Sequence, residues 1–159
     1  MPLPWTDDEL KELVGHILYE LEQLRRAAAA VGVEREAQEI SWLIEEAGLV
    51  HARNLLNFFT TSKRYRDSNR PDDVIAADYT PDWEPRRTPT ILTMCNVDPR
   101  AFRAGLNGRV MHLGRTRINS APLDLGLAAS AIDALCRRFH DSLDGNWKRL
   151  FEPMQAVVH

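Results

Sequence analysis

Apolar residues recur at three- and four-residue spacing in four stretches of the chain, a pattern that places them on one face of a helix. The first stretch begins at the sequence TDDE, where Thr6 and Glu9 match a capping box that satisfies two backbone amides, and it runs to about Ala29. Its apolar stripe consists of Leu10, Leu13, Val14, Ile17, Leu21 and Leu24. The sequence therefore predicts a long amphipathic first helix.

Three further main helices are predicted. The second begins near Val33 and runs to about Thr60, the third runs from Pro99 to about Leu113, and the last from about Pro122 to Leu143. Asp98 followed by Pro99 is a strong helix start, because the carboxylate caps the first turn and proline suits the first helical position. The apolar face of the second helix is predicted to contain Ile40, Leu43, Ile44, Ala47, Leu55 and Phe58.

Residues 61–96 lose helical periodicity and contain four prolines, so we expect a long connection with one short helical turn at DDVIAADY. A connection of that length is uncommon in a compact domain unless it covers something. The residues that could dock it across the bundle are Val74, Ile75, Tyr79 and Trp83. Near the C-terminus, Trp147, Leu150 and Phe151 indicate a short docked segment, and about 152–159 are expected to form a loose tail.

No segment alternates as a strand would, and no period repeats, so the fold class predicted is all-α. A chain of 159 residues that is 44% hydrophobic can bury one sizeable core and is too short for two ordinary domains. We therefore expect a single domain over 1–159, a bundle of about four main helices with a long connection between the second and third.

Composition and charge indicate where the protein is located and what it could bind. No apolar run approaches the length of about 20 residues that a membrane helix needs, and the N-terminus lacks a basic flank and an apolar core, so a cytoplasmic location and no membrane partner are expected. Cys95 and Cys136 lie far apart and lack metal-ligand spacing, which predicts free thiols and no structural zinc. The net charge is −3, but residues 61–120 contain eleven basic and seven acidic side chains. Such a segment could touch phosphate, although its interleaved charges favour a solvated loop.

The stretch LVHARNLLNFF places His51 near the middle of the apolar stripe of the second helix and Asn54 on its shoulder, with Arg53 roughly opposite. A buried imidazole or amide without a partner costs about 1–3 kcal/mol, so matching groups are expected on another element. His112 ends a row of small residues on the third helix, and Arg115 follows it. These five residues are the candidate site.

The motifs also carry a resemblance. The segments HARNLLNFF, RPDDVIAADY with Trp83, and NGRVMHLGRTR resemble a group of mostly uncharacterised bacterial helical proteins with an H-A-R-N-L-x-x-F-F helix and a later A-H-L-x-x-x-R segment, over about residues 35–120. Here Met111 replaces the small residue before His112. A more distant resemblance is to the HEPN helical domains, many of which are dimeric, metal-independent ribonucleases of toxin and defence systems. Their spacing of an arginine and a later histidine is not met in this chain.

Two functions follow as alternatives. The resemblance implies a metal-independent ribonuclease. If the five candidate residues converge, His51 and His112 could take the 2′-hydroxyl proton of RNA and protonate the leaving oxygen, and a nearby arginine, Arg53 or Arg115, could stabilise the phosphorane charge without a metal or cofactor. The alternative is a non-enzymatic interaction or scaffold protein, a homodimer or a partner subunit, with a structural His/Asn polar core. Catalysis needs a histidine at the floor of an accessible basic cleft, whereas a structural network needs both histidines to be shielded from solvent and hydrogen-bonded within the fold.

Overall fold

A computed structural model of the chain describes residues 5–31, 38–94, 97–111 and 124–156. These residues form eight α-helices, four of them long, and contain no strand, which confirms the all-α prediction. The helices are α1 (Asp7–Val31), α2 (Gln38–Thr60), α3 (Lys63–Asn69), α4 (Ala76–Tyr79), α5 (Thr88–Met94), α6 (Pro99–Met111), α7 (Leu125–Ser142) and α8 (Gly145–Leu150). Two 3-10 turns cover Pro85–Arg87 and Glu152–Gln155. Within these ranges no helix is long and apolar enough to span a bilayer.

Local sequence signals set the helix starts. At α1 the capping box forms as predicted, because the Thr6 amide donates to Glu9 Oε2 at 2.8 Å and the Glu9 amide donates to Thr6 Oγ1 at 3.3 Å. The Thr6 hydroxyl and amide hold the pKa of Glu9 below its ordinary value. At α6 the predicted cap also forms, since Asp98 Oδ1 accepts from the amide of Ala101 at 2.6 Å.

Helices α1 and α2 pack antiparallel, and a glycine of α2 lies at their contact. The contacts run in opposite directions along the two helices, with Ala27 beside Gly48 and Glu20 beside His51. A Cβ at Gly48 would lie 2.6 Å from Leu125 Cδ2 and 2.9 Å from Ala27 Cβ. Only glycine therefore lets α1 and the first turn of α7 meet α2 here without displacement. Leu43, predicted on the apolar face of α2, is exposed instead.

The connection after α2 contains more helix than the sequence predicted. We call residues 61–94 the strap; it holds α3, α4, the Pro85–Arg87 turn and α5, of which only the turn at α4 was predicted. The strap docks through Ile75, Tyr79 and Trp83, as expected from their apolar character. Tyr79 Oη donates to the carbonyl of Leu10 at 2.9 Å, and Trp83 Nε1 donates to the carbonyl of Phe59 at 2.8 Å. These bonds attach the strap to both α1 and α2.

The C-terminal segment corrects the expectation of a loose tail. Met154 is buried, and Arg25 on α1 donates to the carbonyls of Met154 and Ala156, both at 2.8 Å, and to Asp133 Oδ1 at 2.9 Å. Residues 152–156 are therefore docked, while 157–159 lie outside the described residues. His140 near the end of α7 is also buried, with its Nε2 3.3 Å from Glu152 Oε2 in the same segment.

Because two ionisable groups are buried, we expect the free energy of unfolding to fall at alkaline pH. Burial raises the pKa of the Tyr79 hydroxyl, and Asp78 raises it further. Burial likewise raises the pKa of the Cys136 thiol, with a further contribution from Asp133. In the unfolded chain these groups ionise near 10.0 and 9.0. Stability is thus fully present below those values and falls as the pH rises above them, by about 1.4 kcal/mol per pH unit for each group.

Urea denaturation between neutral and strongly alkaline pH measures this loss. The variants Tyr79→Phe and Cys136→Ala should each flatten the decline, whatever they cost at neutral pH, because each removes one ionising group. A decline of the same steepness in the parent and in both variants would assign the alkaline loss to other groups.

Candidate functional site

Three of the five candidate residues are described. His51, Arg53 and Asn54 lie on α2, whereas His112 and Arg115 lie outside the described residues, so their predicted approach to α2 stays a prediction. His51 and Asn54 are three positions apart, which places them on the same face one turn apart. Arg53 is half-buried and is not among the residues that line the cleft described below.

His51 and Asn54 share one partner, Glu20 on α1. Glu20 Oε2 lies 2.8 Å from His51 Nδ1 and 3.1 Å from Asn54 Nδ2. A carboxylate oxygen can only accept, so His51 carries its hydrogen on Nδ1 in this contact. We call these three side chains the polar contact, and Glu20 supplies the partner on another element that the sequence predicted.

The polar contact is shielded but not deeply buried. The side chains of His51 and Glu20 are 18% and 27% exposed, and Asn54 is exposed. The ring of Tyr19 stands edge-on to His51 with the ring centroids 6.0 Å apart. The sequence placed His51 in the middle of an apolar stripe, whereas the structure places it at the edge of the α1–α2 contact.

A cleft of about 340 Å³ adjoins the polar contact, between α1, α2 and the strap. Its apolar floor comprises Leu13, Ile17, Leu55, Phe58, Val74 and Ile75. Among its charged lining residues are three carboxylates, Glu20, Asp72 and Asp73, and one cation, Arg70. Arg70 Nη1 lies 3.5 Å from Asp73 Oδ2, so its charge is partly neutralised. The cleft is thus acidic, and its potential favours cations over phosphate.

Glu20 is the site residue that sequence reasoning missed. Its spacing of four residues from His16 favours, on sequence alone, a pair on the surface of α1. Both residues line the cleft, but among the described residues the hydrogen-bond partners of Glu20 are His51 and Asn54 on α2. No local signal identifies a partner 31 positions away; only the register of α1 against α2 does.

The polar contact permits two chemical roles. A carboxylate on Nδ1 fixes the orientation of the imidazole, and the neutral form of a ring held in this way has a lone pair on Nε2, which is the arrangement of an oriented general base. The same contact, without a substrate, is a pair of hydrogen bonds that joins two helices. For metals, the described residues contain no group of three or more His, Cys, Asp or Glu side chains suited to hold an ion.

No protein-family model matches the chain, and the comparisons with curated proteins and with solved structures return no match either. The likeness to the HARN-containing helical proteins and to HEPN domains therefore stays an interpretation of the sequence.

Proposed function

We propose that this protein acts by binding a partner, as an interaction or scaffold protein, and that Glu20, His51 and Asn54 form a structural contact. One observation carries the proposal: a single oxygen of Glu20 accepts from both α2 residues, so the two polar side chains in the helix stripe are paired within the fold. Polar groups paired across two helices fix the register of those helices. A second copy of the chain or another protein is the partner this proposal implies.

Electrostatics support binding over catalysis on RNA. Ribonuclease chemistry needs cations that offset the phosphate charge, yet the described lining of the cleft at Glu20 and Asn54 has three carboxylates and one arginine that is itself paired. Neither His51 nor Arg53 lines this cleft. The lining instead suits a positively charged group of a partner.

The second candidate is the metal-independent ribonuclease predicted from the resemblance. One feature favours it: the carboxylate on His51 Nδ1 orients the ring as a base, with Nε2 as the proton-accepting atom. In that function His112 and Arg115 would complete the site, with Arg53 and Asn54 as further candidates.

RNA cleavage separates the two candidates. The purified protein is incubated with total cellular RNA in a chelator, beside His51→Ala and His112→Ala variants that retain the parent's circular dichroism. Under the binding proposal the RNA stays intact with all three proteins. Cleavage by the parent that both variants lose would replace the binding proposal with the ribonuclease.

A double-mutant cycle tests the structural role directly. We expect Glu20→Ala and His51→Ala each to lower the free energy of unfolding by about 1 kcal/mol, with a coupling of about 0.5–1.5 kcal/mol, because each variant loses the same contact. Partial exposure keeps the value at this modest level. Urea denaturation of the parent, both single variants and the double variant gives the coupling.

His16→Ala is the matched control for this cycle. His16 lines the same cleft but has no described hydrogen bond to Glu20, so its removal should change stability by less than about 0.5 kcal/mol. A coupling near zero between Glu20 and His51 would refute the structural role of the polar contact.

A further inference from the structure

A second pocket, of about 610 Å³, lies between the end of α2, α5 and the start of α6. Its walls are mainly apolar, with Leu56, Pro89, Leu92 and Pro99 among them. It differs from the acidic cleft in charge, because its described lining contains two arginines, Arg100 and Arg103, and one carboxylate, Asp98. Its volume falls within the range of roughly 300–1,000 Å³ that small-molecule sites occupy.

The two arginines act from one face of α6, since residues three apart on a helix are neighbours. Arg103 is held in place: its Nη2 donates to Thr60 Oγ1 at 2.7 Å, and that hydroxyl donates to the carbonyl of Leu56 at 2.7 Å. This bond orients the guanidinium without neutralising it. In the described parts of the chain, neither Arg100 nor Arg103 forms an ion pair with a carboxylate.

Asp98 lowers the positive potential of the pocket, but it forms no described ion pair with Arg100 or Arg103 and leaves their donors available. Its carboxylate accepts the Ala101 amide at 2.6 Å and serves as the cap of α6. The pocket thus combines an apolar interior with two guanidinium groups whose remaining donors have no described carboxylate partner. Guanidinium donors match the oxygens of a carboxylate or a phosphate, and such charge-assisted bonds are stronger than neutral ones.

We propose that this pocket binds a small organic anion, with an apolar chain or ring against Leu56, Pro89 and Leu92 and a carboxylate or phosphate at Arg100 and Arg103. An organic cation would meet repulsion from both arginines, and a neutral apolar compound would gain the wall contacts without the charge-assisted bonds. The expected order of affinity is therefore anion, then neutral compound, then cation.

Calorimetric titration with four eight-carbon probes tests this order at constant chain length. The probes are octanoate, octyl phosphate, octanol and octylammonium. We expect one or both anions to bind at least about tenfold more tightly than octanol, and octylammonium to bind least. The two anions distinguish a carboxylate site from a phosphate site. Equal binding of octanoate, octyl phosphate and octanol, or no anion binding up to about 10 mM, would overturn the proposal.

Variants locate the site. Arg100→Gln removes an exposed guanidinium and should weaken anion binding by about tenfold without altering octanol binding. Arg103→Gln should weaken anion binding by a similar factor. If loss of its bond to Thr60 prevents folding, the Arg100→Gln variant alone tests the placement of the anion. The matched control is Arg137→Gln, an exposed arginine of α7 that does not line the pocket. An unchanged affinity in Arg100→Gln, or an equal loss in Arg137→Gln, would refute this placement.

Discussion

Replacing Phe139 with alanine is expected to lower the free energy of unfolding by about 3–5 kcal/mol, the cost of removing a large aromatic side chain from a packed core. Phe139 lies on α7 and is fully buried. Its ring contacts rings from α2, the strap and the C-terminal segment: Phe58 at 5.4 Å, Phe59 at 5.7 Å, Tyr79 at 6.3 Å, Trp83 at 5.6 Å and Phe151 at 5.2 Å between centroids. One side chain thus joins elements distant in sequence.

Chemical denaturation followed by circular dichroism measures this cost. Leu127→Ala, on the same helix but 42% exposed, is the control and should cost less than about 1 kcal/mol. Phe139→Leu retains most of the volume and should cost less than the alanine variant. If Phe139→Ala cost no more than Leu127→Ala, the ring cluster would not be the centre of the core.

The long helices could be predicted because their signals are local. A stripe of apolar residues and a cap each lie within one segment of sequence, so Thr6 with Glu9 and Asp98 with Pro99 identified two helix starts correctly. The strap could not be predicted in detail. Its helices span four to seven residues, as in Ala76–Tyr79 and Thr88–Met94, too short for a periodic pattern to be distinct.

The site was predictable in part for a related reason. His51 and Asn54 stood out because polar side chains replaced apolar ones in a regular stripe. Their partner did not stand out, since Glu20 on α1 looks like any surface carboxylate until the two helices are placed side by side. The docking of the C-terminal segment was missed in the same way, because it depends on Arg25, more than a hundred residues away.

Replacing Asp78 with alanine should also be costly, by about 3 kcal/mol, because it leaves a shielded guanidinium without its main partner. The Asp78 and Arg66 side chains are only 7% and 11% exposed, and Arg66 Nη1 donates to both carboxylate oxygens, at 2.8 Å and 2.6 Å. Asp78 Oδ2 also accepts the Ile75 amide at 3.0 Å. Burial lowers the pKa of Arg66, but bonds to Asp67 and Asp78 outweigh burial and raise it overall.

Asp67→Ala provides a matched control, since Asp67 binds the same guanidinium at 2.9 Å but its side chain is 49% exposed. That variant should cost less than about 1 kcal/mol, because an exposed partner contributes little.

The ion pair between Arg66 and Asp78 also affects the shape of the acidic cleft. Asp72, Asp73, Val74 and Ile75 line it and lie in sequence between Arg66 and Asp78, so this ion pair closes the strap segment that forms one wall.

Limited proteolysis of the same variants therefore measures how often the strap opens locally, beside the global stability that denaturation measures. Asp78→Ala should speed cleavage between residues 66 and 78 more than its global destabilisation alone would, whereas Asp67→Ala should leave the cleavage rate near that of the parent. Cleavage that rises only in proportion to the global loss in both variants would mean that the ion pair stabilises the whole fold without holding this wall of the cleft in particular. The acidic cleft would then owe its shape to Ile75, Tyr79 and Trp83, whose burial attaches the strap to α1 and α2 independently of Arg66.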